Sequence, residues 1–152
     1  MSDMDLFLGL SSALTGIAQE QLAPSVDPLN VKQAYFATAS KDTAFPQMLQ
    51  IYAANQSKPP DQVADIILNQ SGNAVRYLGR AVMLEWYTGS WYPPASLQTS
   101  SPNPNNVVSP DAYTTGWMWN VAQAHPMGYS NFHFGYWSSP PPTLSDFTGG
   151  GA

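Results

Sequence analysis

The sequence predicts an all-α protein: a small irregular domain of five or six helices, with a long Pro-rich loop and an extended aromatic C-terminal arm. Three observations predict it. Apolar residues recur at helical spacing in separate stretches through Tyr87 and again after Ser109. Several of these stretches open on Ser or Asp near a Pro, and two are followed by Gly16 and Gly89, the residues that start and stop helices. Between and after them the periodicity disappears into Pro, Ser and Asn. Helical segments of this number and length, joined by short breaks, pack as an all-α fold. One domain is expected overall, with residues 1–89 as helical core, 90–108 as loop, and 109–152 as a helix plus a partner-binding arm.

The first helix is expected over residues 3–14, capped by Asp3 or Asp5. Leu6, Leu10 and Ala13 share a face, Phe7 and Leu14 adjoin it, and Gly16 ends the helix. Glu20 then falls in a loop. Asp27-Pro28 reads as N-cap and first helical residue of a second helix, continued by Leu29, Val31, Ala34, Tyr35 and Thr38 to about Ser40. A third spans Ala44 to Asn55, with Pro46 in its first turn and Met48, Leu49, Ile51 and Tyr52 buried. Lys58-Pro-Pro breaks the chain before Asp61 opens a fourth. The longest runs from Asn73 to Tyr87, with a stripe of Val75, Leu78, Val82, Met83 and Trp86. Residues 90–108 carry four Pro and little periodicity, so they read as one long loop. Ser109 caps and Pro110 starts a last helix to about Ala124, burying Tyr113, Trp117 and either Met118 or Val121. From His125 the chain is irregular and aromatic, and extended backbone of that kind needs a groove to satisfy its polar groups.

Composition narrows the function. Charged residues are only 10% of the chain, against roughly 25% in ordinary soluble domains. Aromatic residues are 12%, with five Trp and eight Tyr. Depleted charge with enriched aromatics is the signature of protein interfaces. Five basic residues, none clustered, in a chain of net charge −5 argue against nucleic acid and against an anionic membrane surface. No apolar run reaches the roughly 20 residues of a membrane span. The absence of Cys excludes disulfides, thiol catalysis and cluster ligation by this chain. No signal segment opens it, so it reads as a cytoplasmic start or as a chain beginning near a mature end.

No constellation of catalytic residues stands out. His125 and His133 are eight apart, outside any predicted helix, with Asp146 the nearest acid that could fold back. That is not a zinc spacing, and structural or interface roles suit both better. There is no nucleophile elbow and no phosphate-binding loop before a helix. Glu85, in an apolar helix beside Trp86, is the one carboxylate whose pKa burial would raise, as a catalytic acid requires. Neither Arg80 nor Arg76 stands at an ideal helical spacing from it, and a structural carboxylate is the plainer reading. The stronger signal is aromatic. Trp91, Tyr92, Phe132, Phe134, Tyr136, Trp137 and Pro140 lie in Pro-flanked extended chain and suit a partner interface; Trp86, Tyr113 and Trp117 suit core. The alternative is a stand-alone carbohydrate-binding module stacking sugars on Trp91, Tyr92 and Trp137.

Three landmarks carry a resemblance: Asp5-Leu-Phe-Leu-Gly-Leu-Ser-Ser-Ala-Leu-Thr-Gly16, Leu84-Glu-Trp-Tyr-Thr-Gly89, and Ser109-Pro-Asp-Ala-Tyr113 followed by Phe134-Gly-Tyr-Trp137 and Pro140. In that order they resemble the small subunit of bacterial membrane-bound FAD-dependent sorbitol, fructose, gluconate and glucose dehydrogenases. The resemblance implies an accessory subunit with no catalytic, cofactor or metal site of its own. FAD would belong to the large flavoprotein subunit, which this chain would bind, stabilise and help to mature or export. A cytochrome c subunit would take electrons onward. The location implied is the periplasm or the periplasmic face of the inner membrane; without a twin-arginine leader in this sequence, the cytoplasm stays open. Leu14, Thr15 and Gly16 would shape the end of the first helix, and Trp86, Tyr87 and Gly89 the core helix and its turn. Tyr136 and Trp137 would lie on the large subunit. Residues 90–108, Trp117-Met-Trp119 and His125-Pro-Met depart from the family pattern.

Overall fold

Ser2 and Asp5 begin the structure with a reciprocal cap. The Ser2 hydroxyl accepts from the Asp5 backbone N–H at 3.2 Å, and the Asp5 carboxylate accepts from the Ser2 N–H at 2.8 Å. This capping box places helix α1 at Asp3–Thr15, so the expected cap moves from Asp3 or Asp5 to Ser2. Gly16, at φ 74°, closes α1 in the left-handed conformation. The computed structural model describes residues 2–99, 105–126, 140 and 143.

After α1 a short helix α2, Gln19–Leu22, takes in Glu20, which the sequence placed in a loop. Helix α3 spans Val31–Ala39 and begins later than expected, on Asn30 at φ 49°. Asp27 is not its cap. Its carboxylate instead accepts from the Asn30 backbone N–H and pairs with Lys32, both at 2.8 Å, which folds Pro28-Leu29 into a turn and leaves Leu29 48% exposed. Helix α4, Phe45–Asn55, buries Phe45, Met48 and Leu49, while Ile51 and Tyr52 are half-buried. Helix α5, Pro60–Asp65, starts on Pro59 without a side-chain cap and runs on into a π-helical turn, Ile66–Gln70. Arg76 reaches back to that turn, donating to the Asn69 carbonyl at 2.9 Å, and Ser71 donates to the Ile66 carbonyl at 2.8 Å. These bonds occupy carbonyls that the end of a helix leaves open.

Helix α6, Asn73–Thr88, is the axis of the fold and packs on α1, α3, α4 and the π turn. It buries Val75, Leu78, Val82 and Trp86; Met83 is half-buried. The core around it contains Phe7, Leu10, Tyr35, Met48 and Ile67. Phe7, Phe36 and Phe45 meet in a three-ring cluster, and Tyr35 stands edge-on to Trp86 at 4.7 Å.

Residues 90–108 are not the single loop expected. Ser90–Trp91 (β1) pairs antiparallel with Asn106–Val107 (β2), Ser90 opposite Val107 and Trp91 opposite Asn106. Between them a helix α7, Pro94–Thr99, lies on α6 without burying any residue of its own. Ser109 caps helix α8 as expected, accepting from the Ala112 N–H at 3.0 Å, with Pro110 in its first turn. The predicted helix to Ala124, however, breaks at Gly116 into α8, Pro110–Thr115, and α9, Trp117–Val121. A Cβ at Gly116 would sit 2.8 Å from the Tyr87 carbonyl, so the chain turns there to pass the end of α6. The expected buried face changes with it: Ala112 is buried, Tyr113, Trp117 and Met118 are half-buried, and Val121 is 52% exposed. Trp119 locks the two short helices, donating from Nε1 to the Tyr113 carbonyl at 2.8 Å. The protein is thus all-α apart from the two-strand ladder among the described residues, and no described helix is long and apolar enough to cross a membrane.

Candidate functional site

The first two sequence landmarks and the Ser109–Tyr113 part of the third meet at one end of the molecule. The Tyr87 hydroxyl, on the last turn of α6, donates to the Thr15 carbonyl at 2.8 Å, which ties α6 to the end of α1. Thr15 turns its own hydroxyl back to the Ser11 carbonyl at 2.7 Å, and Leu14 is buried beneath. Gly89, at φ 68°, ends α6, and a Cβ there would fall on the Ala112 carbonyl and the Tyr113 nitrogen of α8. The Ala112 carbonyl also lies 3.4 Å from the Tyr35 hydroxyl, which donates to it from α3. Of the six residues expected to be structural, Thr15, Tyr87 and Gly89 join the ends of α1, α6 and α8, Leu14 and Trp86 are buried, and Gly16 closes α1 in open space.

The expected interface residues divide. Trp91 is half-buried in β1 and packs against the core. Tyr92 is half-buried, and its hydroxyl accepts from the Asn105 amide at 3.0 Å, across the base of the 90–108 excursion. Pro140 is exposed. Phe132, Phe134, Tyr136 and Trp137 lie outside the described residues, as do His133 and Asp146. His125 has a ring nitrogen 3.2 Å from the Pro126 carbonyl. No group of three His, Asp or Glu that could hold a metal occurs among the described residues.

Glu85 is fully buried on α6, and neither carboxyl oxygen has a hydrogen-bond partner among the described residues. Burial pushes its pKa up to about 9, so the group is a neutral acid at neutral pH. Burial, and then the nearby Glu85, push the Tyr35 phenol upward as well. The raised pKa expected of a buried Glu85 is therefore found, but the carboxyl has no accessible surface through which a substrate could meet it.

Two clefts border this end. One, of about 170 Å³, runs between the Asp27–Lys32 pair, Leu29 and Trp117, with Tyr35 and Trp86 beneath. The other, of about 380 Å³, is an apolar groove between α6 and α7 lined by Arg80, Met83, Leu84, Tyr87 and Leu97. Sequence reasoning passed over this groove. Its signal was a second spacing on α6: residues 80, 83, 84 and 87 share one face, and Met83, which the sequence placed in the core stripe with 75, 78, 82 and 86, lies half-buried on it. No family model, no curated protein and no solved structure matches this chain.

Proposed function

We propose that the chain is a non-catalytic small subunit that docks on a larger protein, and that this protein is the FAD-bearing large subunit of a sugar or polyol dehydrogenase. Its role is to stabilise that subunit and help it mature or reach the periplasmic face of the inner membrane, where a cytochrome c subunit takes the electrons. The observation that supports docking is the surface chemistry. The described residues hold one ion pair, Asp27–Lys32, while Val26, Leu29, Val107 and Val121 stand exposed. Half-buried Trp91, Tyr92, Tyr113, Trp117 and Trp119 add to this at the end where α6 meets the ladder and α8. A surface so short of charge and so rich in rings resembles half of an interface. The identity of the partner rests on the order of the three landmark motifs.

Purification of the full chain at native abundance from its source tests the reading. An equimolar complex that carries flavin absorbance is the expected result. A stable monomer with no flavoprotein attached would overturn it.

A further inference from the structure

The outer face of α6 carries a second apolar stripe that the described residues leave half open. Met83, Leu84 and Tyr87 face the groove beneath α7, and all are half-buried. Among the described residues, their cover from across the groove is Leu97 on α7, a helix that buries none of its residues. Tyr87 is fixed by its bond to the Thr15 carbonyl, so this wall is rigid.

Arg80 stands at the head of the same stripe. Its guanidinium is exposed, sits 5.1 Å over the Tyr77 ring, and has no carboxylate partner among the described residues. Lys41 and Lys58 are likewise exposed and without a carboxylate partner among the described residues, but Arg80 is the basic residue that lines this groove. Lys32 is paired with Asp27, and Arg76 is spent on the carbonyls of Asn69 and Ser71. The Tyr77 ring holds the Arg80 side chain in place. An exposed guanidinium at the end of an apolar slot is complementary to a carboxylate presented beside apolar side chains.

We infer that the α6–α7 groove docks a segment of the partner protein in which an Asp or Glu meets Arg80 and neighbouring apolar side chains enter between Leu84, Tyr87 and Leu97. The groove is smaller than a stable interface, which takes about 800 Å² from each partner, so it acts as the anchor within a wider contact. The inference deepens the docking role proposed above and rests on it for the existence of a partner.

A photo-crosslinking amino acid placed at Leu84 in the full chain, expressed in its native source, tests it, with the same label at Lys41 as control. The expected result is one adduct at position 84 and none at 41, joined to a peptide that holds an acidic residue among apolar ones. Reversing the charge with Arg80→Glu lowers its yield by about tenfold, which corresponds to the loss of one charge pair. Arg80→Gln repeats the test with less perturbation, and Arg80→Lys restores part of the yield. An adduct that ignores Arg80, a peptide without a carboxylate, a second copy of this chain, or no adduct at 84 would each overturn the inference. The two readings fail separately. An Arg80-dependent adduct with a protein that binds no flavin keeps the groove and ends the flavoprotein assignment. A flavoprotein that co-purifies without touching position 84 does the reverse.

Discussion

Glu85 is the residue whose chemistry departs furthest from its ordinary state. In the folded chain it holds its proton up to about pH 9; in the unfolded chain it releases it near the ordinary glutamate value of 4.5. Between those values the unfolded state binds fewer protons, so raising the pH favours unfolding by at most about 1.4 kcal/mol per pH unit. The stability it permits is fully present below pH 4.5, is lost through the window up to about 9, and changes no further above it. Glu85→Gln, neutral at every pH, is expected to flatten the decline between pH 5 and 8, as read from denaturant midpoints at each pH. The two capping glycines offer a second comparison. Both have positive φ, but a Cβ at Gly16 meets open space while one at Gly89 strikes the backbone of α8. Gly16→Ala should cost about 1–2 kcal/mol, the penalty of the left-handed conformation alone. Gly89→Ala should cost clearly more, and thermal melts of the two variants side by side measure the difference. The caps at Ser109 and Gly16 were legible because the residues that make them are neighbours in sequence. The conflict at Gly89 was not, because the atom that creates it comes from residue 112.

At the scale of elements, the same distinction separates what could be read. Helices α1, α4 and α6 were visible from spacing, since one long apolar stripe suffices to define each. The ladder was hidden because its strands are two residues each, with a helix inserted between them. No alternation can register over so short a span. The break at Gly116 was hidden for another reason: Ser109 to Ala124 is locally a sound helix, and the passage of the chain across the Tyr87 carbonyl interrupts it. Asp27 misled in a third way, since an Asp before a Pro serves a turn as readily as a helix start. The π turn at Ile66–Gln70 is an element held by a side chain from the next one. Arg76→Ala removes the bonds to the Asn69 and Ser71 carbonyls, so amide exchange should speed up at 66–71 while α1 and α6 keep their protection. Equal protection in the variant would show that the turn holds itself.

For the molecule as a whole, the candidate site was legible only in part. Trp91 and Tyr92, expected from their aromatic character at a partner interface, are both half-buried and engaged by their own chain. The groove beside them depends on where α7 comes to lie, and no local pattern foretells that. The helical stripes gave the interior, and the shortage of charge gave the character of the exterior. Where that exterior opens into an apolar groove emerged only from the packing.

The Ala112 carbonyl, held by Tyr35 and pressed on Gly89, has a bearing on synthesis. Residue 112 leaves the ribosome after α1 to α6 are complete, and until then Tyr35 and the tip of α6 lack their lid. A nascent chain stopped at residue 89 would hold all its long helices yet leave that end uncovered. Such a fragment is expected to keep helical circular dichroism while melting over a broader range than the full chain, and adding residues through 126 should restore a single sharp transition.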